Sequence, residues 1–373
     1  MSKEFTSLGL MSGTSGDGVD ASIIKTDGNN KYETIENKYF EYGNNIYQKI
    51  HSLKNEIHNL EDLKKFEKEL NNLEKKITLF HAEVTDEISK SKMVDVVGFH
   101  GQTIYHNSKE KISKQLGNGN LLSQLIKKNV VFNFRNNDIK NGGEGAPLTP
   151  IFHQLIATKL KFDLPICILN IGGIANISII EKPVGSYNFF SKDIGPGNCL
   201  IDTWVRKNSK KKYDQGGLLA KAGIKNEIIF EQAQELFSIQ SDKKTLSLDV
   251  NDFDVSFVRG LTLEDGAATL TDLTSNIISS SILSLFSSSN KKFFKVIVCG
   301  GGRKNIFLME NIKKKISKNL ILQSIDDYGV DGDFIESQAF AFLATRSILR
   351  LPISFPLTTG CKEPLTGGEI IRY

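Results

Sequence analysis

The sequence has few cysteines, and none of them are spaced as a pair. Its 373 residues contain Cys167, Cys199, Cys299 and Cys361, with no Cys-x-x-Cys motif. Widely separated cysteines of this kind are typical of free thiols in a reducing compartment. Cysteine-rich secreted scaffolds and zinc-binding modules are therefore not expected.

The chain also lacks long apolar runs. No basic segment followed by an apolar stretch opens it, and the longest apolar stretches are interrupted by Asn or Gly. This pattern predicts a protein that is neither secreted nor membrane-spanning. We expect a cytoplasmic location and no membrane partner.

Neither sign of charge is in large excess. The net charge is only +4, and the positive residues are mostly lysine rather than arginine clustered with aromatics. Lysine runs such as residues 207–212 are typical of solvated faces, so no nucleic-acid partner is expected. A content of 39% hydrophobic and 24% charged residues indicates a globular chain of two or three domains.

Glycine and hydroxyl residues are concentrated in the turn at residues 9–20, GLMSGTSGDGVD. Alternating apolar residues on both sides predict a strand, a turn and a second strand. Glycine turns let backbone N–H groups approach phosphates, and Ser12, Thr14 and Ser15 would add donors. Asp17 could hold a metal ion at those phosphates. An ordinary hairpin turn is the alternative, and the absence of a following Gly-Lys-Ser/Thr argues against a P-loop.

A second hairpin of the same form is predicted at residues 166–180, around Gly172-Gly173. Two such hairpins are what a duplicated domain that binds one nucleotide would contain. Residues 294–299 predict a buried strand that leads into Gly300-Gly301-Gly302, a loop suited to a phosphate or a flat ring. A plain strand-to-helix loop is the alternative there.

Polar residues follow two predicted strands. His100, Gln102 and Thr103 come after a strand at residues 93–98, where ligands bind in α/β proteins. Two nearby histidines without a third ligand argue against a metal, so hydrogen bonding to a polar small molecule is favoured. Arg135 and Asp138 follow a strand at residues 130–134, and they could form either a structural pair or part of a cleft.

Two further carboxylates stand at element ends. Asp193 precedes the turn Gly195-Pro196-Gly197 and is either a helix cap or a general base. Glu336 lies in the first turn of a predicted helix at residues 334–349, which Asp333 could cap.

Other segments carry simpler expectations. Apolar residues spaced three and four apart over residues 53–80 predict a helix packed on its own domain, or a coiled-coil arm that dimerises. The sequence therefore leaves open whether the protein forms a homodimer. The Ser-rich stretch 274–289 predicts a packed helix, residues 31–42 a strand pair, and the tail from Ser354 a loop.

Seven segments in order resemble one family, the anhydro-N-acetylmuramic acid kinases of the actin-like ATPase clan. They are GLMSGTSGDGVD at 9–20, GFHGQTIYH at 98–106, NFRNNDIKNGGEGAPLTPIFH at 133–153, LNIGGIANIS at 169–178, DIGPGNCLID at 193–202, CGGGRKN at 299–305 and ESQAFAFLA at 336–344. Two departures are small: Gly16 replaces a usual Met, and Ser337-Gln338 replaces a more apolar pair.

The resemblance implies an α/β fold of duplicated actin-like (ribonuclease H-like) domains, with mixed sheets flanked by helices and a nucleotide cleft between the halves. Residues 1–140 with 350–373 would form the N-terminal domain, and residues 141–349 the C-terminal domain.

The resemblance also implies site residues. Asp193 would be the catalytic base, and Asp17 would lie near Mg²⁺. The residues implied to bind ATP are Gly13, Thr14, Ser15, Gly16, Asp17, Gly18, Val19, Asp20, Gly172, Gly173, Asn176, Gly300, Gly301 and Gly302. Those in segments on the sugar side are His100, Gln102, Thr103, Arg135, Asp138 and Glu336.

The implied reaction uses ATP, Mg²⁺ and a small-molecule sugar, 1,6-anhydro-N-acetylmuramic acid. Water would attack C1, and O6 would take the γ-phosphoryl group, giving N-acetylmuramic acid 6-phosphate for cell-wall recycling. A clan kinase of another sugar is one alternative. A nucleotide switch is the other, and the short tail after Leu349 argues against it.

Overall fold

The structure is a computed structural model that describes residues 3–241, 248, 250, 253–288 and 295–373. Position 289 of the predicted Ser-rich helix and Phe294 of the predicted strand lie outside these residues. The strands are β1 Phe5–Ser12, β2 Gly18–Thr26, β3 Tyr32–Glu41, β4 Val96–Asn107, β5 Ile112–Leu116, β6 Asn129–Phe132, β7 Ile166–Ile171, β8 Ile174–Ile180, β9 Phe189–Pro196, β10 Lys295–Cys299, β11 Ile321–Ser324 and β12 Glu369–Ile371.

The helices complete the description of the secondary structure. They are α1 Asn44–Glu56, α2 Leu60–Lys65, α3 Glu67–Ile88, α4 Gly119–Ile126, α5 Asn136–Lys140, α6 Pro150–Lys159, α7 Cys199–Asn208, α8 Leu218–Ala222, α9 Glu227–Ser241, α10 Leu263–Ser288, α11 Ile306–Lys315, α12 Ile335–Ile348 and α13 Pro356–Thr359.

Contacts divide the chain into two compact units. Unit 1 comprises Met1–Phe162, Lys182–Phe190 and Asp333–Tyr373, and unit 2 comprises Asp163–Glu181 and Ser191–Gly332. Residues 141–162, 182–190 and 333–349, which the predicted boundaries assign to the C-terminal domain, therefore group with unit 1. The domain boundaries themselves stay a prediction.

The two sheets share one strand order. Unit 1 contains β12-β6-β4-β1-β2-β3, with β5 paired to β4, and the sheet of unit 2 runs β11-β10-β7-β8-β9. In each, the opening hairpin is antiparallel and its first strand pairs in parallel with β4 or β10. The next strand outward, β6 or β11, is again parallel. This duplication confirms the predicted class of repeated mixed α/β domains.

The helices between β3 and β4 pack on unit 1. Leu53, Ile57, Leu70, Leu73 and Ile77 are at most 4% exposed and belong to the core formed with the first sheet. The single helical region predicted at residues 53–80 is divided into three helices, because Asn59 caps α2 and Phe66 leaves the helical conformation. The packing on its own domain is confirmed.

Helix α12 lies directly on the centre of the first sheet. Gly9 of β1 and Gly98 of β4 are paired neighbours. A Cβ on Gly9 would lie 1.9 Å from the Ser337 carbonyl oxygen, and one on Gly98 would lie 2.3 Å from that of Phe340. Only glycine allows this approach, since any other residue would push the helix away.

Hydroxyl pairs fix α12 on the hairpin strands β1 and β2. Ser22 and Ser337 are hydrogen-bonded at 2.6 Å, as are Ser7 and Thr345. Gln338 accepts a hydrogen bond from the Tyr32 hydroxyl. The polar Ser337-Gln338 pair thus has buried partners in this chain.

Two predicted details differ from the structure. Residues 31–42 contain one strand, β3, rather than a pair, because the hairpin turn lies earlier, where Asp27 accepts three backbone N–H groups. The predicted C-terminal loop contains α13 and also β12, which pairs antiparallel with β6. None of the helices in the described part of the chain is long and apolar enough to cross a membrane.

Candidate active site

The first hairpin turn, residues 13–17, requires glycine at Gly16 and at Gly18, the residue that follows the turn. Gly16 has a φ of +62° and donates its N–H to the Gly13 carbonyl over 3.2 Å. A Cβ on Gly18 would lie 2.4 Å from the Phe40 carbonyl oxygen of the next strand. At Gly13, by contrast, the nearest described atom to an added Cβ is the Ser15 hydroxyl, 3.8 Å away. The turn is thus tight at its base and open at its tip.

The carbonyls of this turn are held by side chains of α1. Lys54 Nζ donates to the Thr14 carbonyl at 2.8 Å, and His51 Nε2 donates to the Ser15 carbonyl at 2.9 Å. In a trans peptide the next N–H points the opposite way from its carbonyl. The N–H of Ser15 is therefore directed away from α1.

Asp17 and its neighbours divide into partly accessible and core positions. The Ser15 hydroxyl donates to Asp17 Oδ1 at 2.5 Å, and the Asp17 carbonyl accepts the Tyr42 N–H at 2.8 Å. The Asp17 side chain is half-buried at the turn, whereas Val19 is fully buried in the core and Asp20 is half-buried in β2. A nucleotide contact through the Val19 side chain is therefore not available.

Ser12 is not a phosphate donor, contrary to the expectation from sequence. Its hydroxyl is 1% exposed and lies 2.8 Å from the Tyr42 hydroxyl and 3.3 Å from His81 Nε2. His81 Nδ1–H donates to the Ile77 carbonyl, so Nε2 is the acceptor. Burial lowers the pKa of His81 to about 4, and the ring is neutral at pH 7. This series of hydrogen bonds anchors the end of β1 to α3.

The second hairpin turn is held in a similar way. The Gly172 carbonyl accepts the Asn198 N–H at 2.8 Å, and the Gly173 carbonyl accepts those of Gly197 and Cys199 at 2.9 and 3.1 Å. The N-terminus of α7 therefore orients both carbonyls, and the N–H groups of Gly173 and Ile174 point the other way.

Asn176 adds an unusual feature beside this turn. Its side-chain oxygen is buried, and among the described residues it has no hydrogen-bond partner. Buried polar atoms of this kind are costly to leave unpaired and often mark a ligand position.

Asp193 lies within β9 and is half-buried. Its Oδ2 accepts the Leu248 N–H at 2.8 Å. The residue before α7 is Asn198, so Asp193 is not the cap of that helix. Gly195, with a φ of +148°, then brings the chain against Ile277, where a Cβ would lie 2.6 Å from that side chain.

The triple glycine forms a short 3-10 turn before α11. Gly300 has a φ of +81°, and a Cβ there would lie 2.3 Å from the Asn170 side-chain oxygen. A Cβ on Gly302 would lie 2.2 Å from Ile171, whereas no described atom lies within 4 Å of one on Gly301. The loop is packed onto β7 at both ends and open in the middle.

Hydrogen bonds from one arginine, Arg303, hold this loop. Arg303, whose side chain is 5% exposed, donates to both oxygens of Asp326 at 2.6 and 2.9 Å and to the Gly300 carbonyl at 3.1 Å. The Arg303 hydrogen bond holds the pKa of Asp326 down at about 2. The pair is therefore ionised at pH 7.

One turn near this loop was missed from the sequence. Gly216 and Gly217 have φ values of +65° and +74°, and a Cβ on Gly217 would lie 2.2 Å from the Asn305 side-chain oxygen. Asp214 precedes them and accepts the N–H groups of Leu219 and Ala220. An acidic residue before two glycines is the signal that could have identified it.

His100 and Arg135, both predicted to contact the sugar, are in direct contact with each other. His100 Nδ1–H donates to the Gly101 carbonyl at 2.7 Å, and Nε2 accepts from two Arg135 nitrogens at 3.0 and 3.3 Å. Burial, and then the Arg135 charge, lower the pKa of His100 well below its ordinary value. The neutral ring orients the guanidinium, which also donates to the Gly145 carbonyl at 2.7 Å.

The other predicted sugar-side residues lie in different surroundings. Gln102 donates to the Gly13 carbonyl at 2.9 Å, which links it to the first hairpin turn. Thr103 accepts from the Gln115 side chain, and Glu336 is half-buried in the first turn of α12. The residue before α12 is Phe334, so Asp333 is not its cap.

Asp138 has contacts that favour a structural role. It is 1% exposed and accepts hydrogen bonds from the Gly145 N–H at 2.7 Å and the Thr359 hydroxyl at 2.6 Å. A Cβ on Gly143 would lie 2.1 Å from its carboxylate. Asp138 thus joins the glycine-rich loop at residues 142–145 to the C-terminal segment.

Comparison with known proteins identifies a family. Residues 5–372 match the family described as anhydro-N-acetylmuramic acid kinase. The protein of that name from Pelagibacter ubique (strain HTCC1062) is 56% identical over 374 residues, covering 100% of both chains. The one from Zymomonas mobilis is 35% identical over 372 residues, covering 97% of this chain and 98% of its own.

A ROK family glucokinase from Streptomyces griseus, solved with glucose and AMPPNP, is a distant structural similarity. Its TM-score is 0.42 at 12% identity, over 91% of this chain and 99% of its own. With a family match over nearly the whole length and relatives at 35–56% identity, the chain belongs to the anhydro-N-acetylmuramic acid kinase family.

Proposed function

We propose that this enzyme is an ATP-dependent kinase that opens 1,6-anhydro-N-acetylmuramic acid with water and phosphorylates O6. The products are N-acetylmuramic acid 6-phosphate and ADP, formed during peptidoglycan recycling. One observation supports the proposal. Equivalent hairpin turns begin both repeated sheets, and in each turn hydrogen bonds hold the backbone carbonyls toward one side. Backbone N–H groups turned the other way suit phosphate oxygens.

ATP is the phosphoryl donor in this proposal. The N–H groups after the tied carbonyls of Thr14, Gly172 and Gly173 would bind its phosphates. The open position at Gly301 would admit the adenosine, since a side chain is absent there and no described atom lies within 4 Å of a Cβ. Such preorganised donors stabilise the charge of a transferring phosphoryl group without a protein nucleophile.

Mg²⁺ fits the first turn. Its preferred ligands are one or two carboxylates together with substrate phosphates and water, and Asp17 is a half-buried carboxylate at the turn. When bound, the ion would neutralise negative charge on the phosphates.

Asp193 is proposed as the general base. It would take a proton from water as the water oxygen forms a bond to C1, while the C1–O6 bond breaks and its electron pair stays on O6. The O6 alkoxide would then attack the γ-phosphorus, and ADP would leave. The Leu248 N–H, bound to Oδ2, fixes the orientation of the carboxylate.

Arg135 is proposed to bind the carboxylate of the sugar. His100 and the Gly145 carbonyl are neutral acceptors, so these contacts orient the guanidinium without neutralising it. A guanidinium held in this way suits a bidentate pair with a carboxylate. Glu336, Gln102 and Thr103 would contact the polar groups of the sugar.

A cytoplasmic location completes the proposal. All four cysteines are free and buried, which agrees with a reducing compartment. A small-molecule sugar is the expected partner.

Isotope labelling tests the reaction directly. In ¹⁸O-water, with quenching before anomeric exchange, label should enter the C1 hydroxyl and be absent from the phosphate, and ATP consumption should require the anhydro sugar. Asp193→Asn should lower turnover by roughly 10²–10⁴-fold while ATP still binds. The exposed Asp163→Asn serves as the control. Label in the phosphate, or full activity of the Asp193 variant, would refute the mechanism.

A further inference from the structure

Helix α1 lies against the first phosphate turn, and its role was not expected from the sequence. Ile50 and Leu53 of this helix are at most 1% exposed and fix it in the core of unit 1. A Cβ on Gly16 would lie 2.9 Å from Ile50 Cγ2, so helix and turn are in direct contact. The helix is therefore a rigid support beside the turn.

Two side chains on one face of α1 reach the turn. His51 and Lys54 are three residues apart and thus neighbours on the helix surface. Lys54 Nζ donates to the Thr14 carbonyl at 2.8 Å, and His51 Nε2 donates to the Ser15 carbonyl at 2.9 Å. The Tyr47 ring packs on the imidazole with centroids 4.4 Å apart and holds its orientation.

We infer that His51 and Lys54 are positioning residues for ATP: Lys54 turns the Thr14 carbonyl toward α1 so that the Ser15 N–H faces phosphate, and His51 holds the Ser15 carbonyl so that the Gly16 N–H stays on the Gly13 carbonyl and the turn keeps its shape. The inference rests on the proposed ATP-binding function. An exposed turn containing Gly13 and Gly16 has many accessible peptide orientations, and a carbonyl facing the phosphates would repel them. The two donors remove those orientations before the nucleotide arrives, which lowers the entropy cost of binding.

The role differs from that of a phosphate ligand. Each side chain donates a hydrogen bond to a carbonyl of the protein, and through that bond its effect on ATP passes through the backbone. Gln102 makes the equivalent contact to the Gly13 carbonyl from β4. Three consecutive carbonyls are thus held, two of them from one helix.

The test uses Lys54→Met, His51→Ala and Lys54→Arg in the full-length enzyme. Lys49→Met is the matched control, because Lys49 is an exposed lysine on the same helix. Calorimetric binding of AMPPNP and of adenosine is measured with KM for ATP, KM for the sugar, kcat and the melting temperature. AMPPNP binding does not depend on the sugar reaction, so a failure of the proposed function is seen separately in the wild type.

Both loss variants should weaken AMPPNP binding and raise KM for ATP by roughly tenfold, which is what loss of one fixed orientation costs. Adenosine binding, KM for the sugar and the melting temperature should match those of Lys49→Met. Lys54→Arg should restore most of the affinity, since it keeps a donor. If only Lys54→Met loses affinity, the ammonium acts on phosphate itself and the inference is wrong. It is also wrong if neither variant loses affinity, or if the loss follows a lower melting temperature.

Discussion

Substitution of Gly9 by Ala tests the contact between α12 and the first sheet. The added Cβ would lie 1.9 Å from the Ser337 carbonyl oxygen and 2.5 Å from the Ala341 nitrogen. Both atoms belong to the helix backbone, so no side-chain rotation can relieve the overlap. The helix must therefore move as a body by more than about 1 Å to restore ordinary contact distances.

This movement has a cost that can be estimated. Overpacking of a filled core costs about 1–3 kcal/mol, and a backbone overlap belongs at the upper end. The hydroxyl pairs of α12 with Ser7 and Ser22, both at 2.6 Å, would be stretched as well. A loss of about 3 kcal/mol corresponds to a fall of roughly 10 °C in melting temperature for a unit of this size.

Thermal and urea unfolding of Gly9→Ala measure the effect. Gly43→Ala is the control, because no described atom lies within 4 Å of a Cβ at that position. It should cost about 1 kcal/mol or less, as a change at a helix N-cap. If Gly9→Ala unfolded within 2–3 °C of the wild type, the close approach of α12 would be refuted.

Two further predictions concern charge. Burial lowers the pKa of His81 and of His153 from 6.5 to about 4, so the unfolded chain binds more protons and stability should fall between about pH 6.5 and 4, by about 2 kcal/mol for each ring at pH 5. Urea midpoints at pH 7 and 5 measure this loss, and an equal loss in His81→Gln would contradict it. Asp326→Asn should weaken AMPPNP binding several-fold by releasing Arg303, and it should cost about 1–3 kcal/mol because Arg303, which is only 5% exposed, loses its bidentate partner. Calorimetry measures the AMPPNP affinity and urea unfolding measures the loss of stability. An unchanged affinity would contradict the prediction.

The glycine hairpins were predictable because their signals are local. Alternating apolar residues on both sides of Gly13–Gly18, and again of Gly172–Gly173, predict strand, turn and strand without distant contacts. The repeated strand order then follows from two copies of one local pattern. The orientation of the peptide groups in each turn was not predictable, because Lys54 and Asn198, which set it, act from other elements.

The segment after Gly98 was harder to predict. The sequence indicates a strand that ends there, whereas β4 continues to Asn107. Its second half pairs with β5, with an irregular register, and Gly101 has a φ of +74°. A partner strand later in the chain therefore decides the conformation, and local propensity does not reveal it.

Buried polar residues show the same limit. Asp138 and Ser12 have residue types typical of binding sites, and sequence alone cannot tell a buried partner from a ligand. The partner of Asp138 is Thr359, more than two hundred residues away. Burial of a polar group depends on such distant contacts, so its role becomes visible only in the folded chain.

The pairing of Gly9 with Ser337 also sets an order of events during synthesis. Ser337 follows Gly9 by 328 residues, so a ribosome adding about 5–20 residues per second delivers α12 roughly 15–65 s after β1. Unit 2 is encoded almost entirely within that interval. The glycine-lined face of the first sheet therefore lacks its helix until the second sheet has been synthesised, and surface that stays exposed for this long favours misassembly of the nascent chain.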